Sequence, residues 1–185
     1  MSIRRFLLAG LLGTLLLSFA VIFFFNRYQA FVEVGELYDA QLAQSSRILQ
    51  GFLNRSADEI DFDHINNALL AATQNYSDAE VHDDATMRST SGHKYEYKFA
   101  IQIWDTNSNL LVKSPSAPLY AIAEFKDGYS IKKIGIFDWH VFTQHLPSNG
   151  YWVVIAERAD IRQEIIDKLT YSSLVGPLAG MIFLA

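Results

Sequence analysis

The chain has no cysteine, few prolines, no surplus of basic residues and, between Phe6 and Phe25, no charge at all. The first absence excludes disulfides, thiolate metal sites and a cysteine nucleophile, and leaves the compartment open. A formal charge of −5 argues against a nucleic-acid partner, which calls for a basic face to neutralise phosphates. The motifs of common chemistry are missing too. There is no nucleophile elbow, no metalloprotease motif, no EF-hand or zinc spacing and no glycine-rich nucleotide loop. Catalysis by this chain is therefore not expected. What is present is half hydrophobic, which excludes disorder, and at 185 residues it suggests one globular domain with attached segments.

The charge-free run, FLLAGLLGTLLLSFAVIFFF over residues 6–25, is long enough to span the roughly 30 Å hydrocarbon core of a bilayer as a helix. Arg4 and Arg5 precede it and Arg27 follows it. The basic pair on the short flank places residues 1–5 in the cytoplasm by the positive-inside rule. The rival reading is a cleaved signal peptide, because Ser18-Phe19-Ala20 has a small-x-small pattern. Against it, the apolar run continues through Val21 to Phe25, past the usual length of a cleavable core. A second apolar segment, LVGPLAGMIFLA at 174–185, reads either as a buried terminal helix or as the start of a second transmembrane helix. The second reading is preferred, since no charge or turn signal closes the segment. Residues 26–173 hold all 20 acidic residues. They are expected to form a water-soluble domain on the side of the membrane opposite residues 1–5.

Residues 28–55 read as a stalk helix continuing out of the membrane, with Phe31, Val34, Tyr38, Leu42, Ser45, Leu49 and Phe52 at three- and four-residue steps. Such a stripe packs on a core or pairs with its twin in a homodimer. Asp61-Phe62-Asp63-His64 opens a short helix carrying Ile65, Leu69 and Ala72, and 75–92 has loop composition. From Tyr95 the period becomes two, through Tyr97, Phe99, Ile101 and Ile103, the pattern of a half-buried strand. Further strands are expected at Leu110–Ser114, Tyr129–Ile134, Trp139–His145 and Tyr151–Ala156, with turns at Asp105–Asn109 and Pro147–Gly150. This makes a sheet over 95–156. Asp160, as N-cap, opens an exit helix over 160–173. The fold class is α+β: an antiparallel sheet of about five strands with a long N-terminal helix, resembling PAS-like sensor domains and flanked by two transmembrane helices.

Four stretches, in order, carry a family resemblance. Val34-Gly35-Glu36-Leu37-Tyr38-Asp39-Ala40-Gln41-Leu42 follows the first apolar run. Ile103-Trp104-Asp105 comes next, with Leu110-Leu111-Val112-Lys113-Ser114. Trp139-His140-Val141-Phe142 is the third. Trp152-Val153-Val154-Ile155-Ala156-Glu157-Arg158, leading to Arg162, is the last. Together they resemble the N-terminal region of two-component sensor histidine kinases of the quorum-sensing regulator and tricarboxylate-transport sensor group. The resemblance implies a signal-sensing, transmembrane-signalling module. It also implies a downstream HAMP linker and a kinase domain that uses ATP and Mg, and a cognate response regulator that receives the phosphoryl group. No His here is followed by the Glu and Pro of the phospho-accepting motif, so the kinase chemistry belongs to the part of such proteins not represented in this chain. The alternative reading is a stand-alone, membrane-tethered periplasmic binding or regulatory protein.

Two sets of residues are candidates for a site. The acidic clusters Asp58, Glu59, Asp61, Asp63, His64 and Asp78, Glu80, His82, Asp83, Asp84 read either as a cation site or as solvated loops. His82-Asp83-Asp84 also resembles an acidic stretch of the same kinase group. The aromatic residues Trp104, Tyr129, Trp139 and Trp152 read either as core or as the lining of a pocket for a small signal molecule.

Overall fold

The computed structural model describes residues 3–54, 60–74 and 98–184, without the side chains of residues 5, 8, 9, 12, 70, 72–74 and 175–184. Three helices and five strands follow in the order α1 (Ile3–Leu53), α2 (Phe62–Gln74), β1 (Phe99–Trp104), β2 (Leu110–Lys113), β3 (Gly128–Ile134), β4 (Phe137–Leu146), β5 (Tyr151–Arg158) and α3 (Ala159–Leu184). The strands form one antiparallel sheet in the order β2-β1-β5-β4-β3. The fold is thus α+β, with one long N-terminal helix and a five-stranded antiparallel sheet. The chain divides into two compact units, Tyr38–Ile161 and Met1–Leu37 with Arg162–Ala185.

The sheet belongs to the first unit. Central β5 is buried along nearly all its length, which suits its apolar run Val153–Ala156, whereas edge strand β3 alternates between exposed and half-buried positions. On one face, Ile103, Val112, Leu146, Tyr151, Val153 and Ile155 meet Leu42, Leu49 and Leu53 of α1 and Phe62, Ile65 and Leu69 of α2. The interface with α1 is not wholly apolar. Buried Ser46 donates its hydroxyl to Gln144 at 2.7 Å, Gln144 donates in turn to Gln50, and the Asn149 side chain donates to the Leu53 carbonyl at the helix end. These bonds fix α1 at one position along β4. The stripe facing the sheet runs Leu42, Ser46, Leu49, Leu53, with Leu49 half-buried and the others buried, while Phe52, expected to be on it, is exposed. At 100° per residue, Phe52 is turned away from Leu53, and the sheet takes the residue whose face continues from Leu49.

The opposite face is covered by the segment 114–127 between β2 and β3, not by a helix. Tight turns close the sheet's far end. Asp105 accepts backbone N–H bonds from Asn107 and Asn109 while Ser108 sits at φ 62°, and Gly150 at φ 75° passes so near Thr106 that a Cβ there would collide with it.

Strand and helix limits differ in places from expectation. β4 begins at Phe137 and β5 runs to Arg158. The expected strand residues Tyr95 and Tyr97, and the loop at 75–92, lie outside the described residues. Helix α3 starts at Ala159, so Asp160 is inside its first turn and its carboxylate binds Arg158 and Lys98 at 2.8 Å each.

In the second unit the N-terminal part of α1 and the C-terminal part of α3 run antiparallel. Arg27 pairs with Asp167 at 2.7 Å, Gln163 also donates to Asp167, and Arg162 reaches the Gly35 carbonyl at 3.5 Å. Among the described residues one helix, α1, is long and apolar enough to cross a membrane, with a stretch of mean hydropathy 1.6, none of it buried. Residues 174–184 continue α3 without a break; the side chains from Val175 on lie outside the described residues.

Candidate functional site

The pleat sorts the aromatic candidates. Ala100, Gln102 and Trp104 of β1, Trp152, Val154 and Ala156 of β5, and Trp139 and Val141 of β4 point to the face under segment 114–127. Tyr129 does not. It pairs with Phe142, whose neighbours in β4 alternate away from Trp139 and Val141, so its ring rests on Phe142 at 4.7 Å on the helix-bearing face. Its hydroxyl donates to the Asp39 carbonyl at 3.0 Å, and the residue is 53% exposed. Of the four aromatic candidates, three share a face and the fourth is behind it.

Segment 114–127 is fastened over that face chiefly through the Gln102 side chain. Gln102, wholly buried, donates from Nε2 to the Pro118 and Tyr120 carbonyls at 2.8 Å each. Its Oε1 accepts from the Ile122 amide at 3.1 Å and from Trp104 Nε1 at 3.2 Å. All four hydrogen-bonding positions of the amide are used, which is what a buried amide requires. Ser114 and Ser116 continue the attachment: Ser114 Oγ accepts the Ile101 amide, and Ser116 donates to the Phe99 carbonyl. Under this cover lies an aromatic row. Trp104 meets Phe125 edge-on at 5.7 Å, Phe125 meets Trp152 at 5.7 Å, and Trp152 meets His145 at 4.7 Å. Asp127, at the end of the segment, accepts the His145 amide at 2.6 Å. Trp139, only 5% exposed, has no hydrogen-bond partner for its indole N–H. The row from Trp104 through Phe125 and Trp152 to His145 is thus filled by the protein's own rings, with His145 at its polar end.

Gln102, Phe125 and His145 escaped the sequence reading. A glutamine in a β pattern looks solvent-facing, and Phe125 sits in a segment without period. A shallow concave region, of about 270 Å³, lies at the β2 edge between Asn66, Leu110, Leu111, Lys113 and Leu119. Here Asn66 acts as a substitute strand: its Nδ2 donates to the Leu111 carbonyl at 2.7 Å and its Oδ1 accepts the Lys113 amide at 3.1 Å.

Of the acidic candidates, Asp61, Asp63 and His64 fall among the described residues. Asp61 caps α2, its carboxylate accepting the His64 amide at 2.9 Å. Among the described residues no three His, Cys, Asp or Glu side chains are grouped to hold a metal ion. Asp58, Glu59, Asp78, Glu80, His82, Asp83 and Asp84 lie outside the described residues.

Two carboxylates are shifted. The Asn109 side-chain amide, helped by the Asn109 and Asn107 amides, holds Asp105 below its ordinary value. For Asp160, burial pushes the pKa up, but hydrogen bonds from Lys98 and Arg158 outweigh it and hold the carboxyl below the ordinary value. Both are positioning groups of the sheet's two ends. Comparison with protein-family models, curated proteins and solved structures returned no match.

Proposed function

We propose that the chain is the extracytoplasmic signal-input module of a two-component sensor histidine kinase, held in a bacterial inner membrane and acting as a homodimer. Residues 26–173 form the periplasmic sensor, of PAS-like type, and 174–185 begin a second membrane helix. The single observation that carries the reading is α1. One unbroken helix joins a lipid-compatible segment, none of whose apolar window is buried, to the stripe Leu42–Leu53 that packs on the sheet. A displacement of that stripe is a displacement of the membrane segment, because a helix transmits motion along its axis. The ligand is expected under segment 114–127, where a small flat molecule exchanging with Phe125 biases two packings of the sheet. The Arg27–Asp167 pair between α1 and α3 supports a paired exit toward the membrane.

Alkaline phosphatase and green fluorescent protein inserted at Gly128 test the topology. The phosphatase fusion should be active and the fluorescent one dark; the reverse pattern refutes the proposal. The DNA downstream separates the kinase reading from a stand-alone tethered regulator. A HAMP and kinase reading frame supports the first, and a stop codon the second. A thermal-shift screen of the full chain in detergent against carboxylic acids, catecholamines and divalent cations then addresses the signal.

A further inference from the structure

Three elements of the unit Tyr38–Ile161 converge at the β2 edge: β2 itself, α2 and segment 114–127. Leu110, Leu111 and Lys113 of β2, Asn66 of α2 and Leu119 of the segment line the concave region of about 270 Å³. Leu110 and Leu111 are half-buried, and Leu119 is 77% exposed. The lining is thus three leucines and two polar residues, of which one is charged.

That charge is not balanced in the way other lysines of the chain are. Lys98, Lys132 and Lys168 each meet a carboxylate, at 2.8, 3.2 and 2.7 Å. Half-buried Lys113 meets carbonyls instead, those of Ala117 at 3.1 Å and Ser114 at 3.4 Å. These bonds hold the ammonium in place and use two of its three donors. Among the described residues no carboxylate pairs with it. Asn66 is also only partly used. Its Nδ2 donates one N–H to the Leu111 carbonyl, and a primary amide carries two.

A fixed cation beside leucines in a shallow concavity complements a monoanion with a short apolar tail. A peptide adding to the sheet would need a free strand edge, and Asn66 already takes the Leu111 carbonyl and the Lys113 amide. A polyanion would need more than one cation. The volume of about 270 Å³ is roughly nine water volumes of about 30 Å³, room for a tail of about six to eight carbons.

We propose that this concavity binds a medium-chain monocarboxylate, its head on Lys113 and its tail along Leu110, Leu111 and Leu119. The bound acid ties α2 to the segment that covers the aromatic face. The site depends neither on the membrane reading of α1 nor on a ligand beneath segment 114–127, so its failure leaves both standing.

The chain has no cysteine, so single labels are unambiguous. An environment-sensitive fluorophore is attached at Tyr120→Cys, 60% exposed and next to Leu119, or at Ile136→Cys, 82% exposed in the turn between β3 and β4. The full chain, held in lipid nanodiscs, is titrated with butanoate, hexanoate, octanoate, octan-1-ol and octylammonium. The label at 120 should report saturable binding of octanoate, tightening about two- to four-fold per added methylene from butanoate upward. The label at 136 should not respond. Octan-1-ol and octylammonium should bind about ten-fold more weakly than octanoate. Lys113→Met keeps the apolar stem, removes the charge and should bring octanoate down to the level of octan-1-ol. If that variant does not fold, the ligand series on the parent decides alone. Octan-1-ol binding as tightly as octanoate means that the concavity is merely apolar, and butanoate binding as tightly means a bare anion contact. Equal responses at 120 and 136 mean uptake by lipid. Each of these outcomes overturns the proposal, as does the lack of a saturable response at 120.

Discussion

Gln102 illustrates how one side chain decides where a mobile-looking segment goes. Its amide meets two carbonyls, one backbone amide and one indole N–H, the last two out of reach of water. Replacing it with leucine keeps the volume and removes every partner, leaving the Ile122 and Trp104 donors buried and unpaired. Gln102→Leu is expected to destabilise by about 3 kcal/mol, read from urea unfolding of the full chain in detergent, with loss of the Trp104 environment before the global transition. Asp160 is a milder case. Its pKa is held below the ordinary 3.8, so its stabilising bonds to Lys98 and Arg158 are fully present above that value and fade as pH falls through the lowered one. The melting-temperature difference between the parent and Asp160→Asn should be constant from neutral pH down to about 5 and then shrink toward zero below the lowered pKa. A difference that persists unchanged in strong acid would show that the carboxylate's charge is not what matters. The carboxylate is partly exposed, its side chain at 38%, and solvent screening keeps the expected difference small.

At the scale of elements, what was legible in the sequence is what periodicity encodes. The long helix and five antiparallel strands followed from steps of three and four and of two, because pleat and helix pitch impose those periods on any chain that buries one face. Which stripe of α1 meets the sheet was not legible, since Phe52 and Leu53 are equally apolar and only the polar ties at Ser46, Gln50 and Leu53 fix the rotation. Truncation separates the two. Leu42→Ala should cost about 2–5 kcal/mol, and Phe52→Ala less than about 0.5 kcal/mol in the isolated protomer. A large effect at Phe52 in concentrated protein only would assign it to the homodimer seam. The cover of the aromatic face was equally hidden, because segment 114–127 has no period and is held by hydrogen bonds. The same holds at the β2 edge, where Asn66 replaces a neighbouring strand. Asn66→Ala should lose about 1 kcal/mol and leave an open strand edge, seen as a rise in light scattering on warming well before unfolding.

For the whole molecule the deciding quantity is where the positive charges stand relative to the apolar run. Arg4 and Arg5 precede it, Arg27 follows it, and the polar region beyond carries every carboxylate in the chain. Acidic residues contribute little to orientation, and a domain of this length crosses or stays largely regardless of its own charge. The balance across α1 is thus two arginines against one arginine. Arg4→Glu with Arg5→Glu removes the first side and leaves Arg27 as the nearest base, which favours the opposite insertion. With Asn107→Cys as the reporter, a membrane-impermeant maleimide applied to intact spheroplasts should label nearly all of the parent and a clearly smaller fraction of the double variant. Adding Arg27→Ser to that variant should return part of the labelling, because neither flank then attracts the cytoplasm. If all three proteins label to the same extent, the apolar run does not set the sidedness of the sheet, and an input crossing the membrane through α1 loses its physical basis.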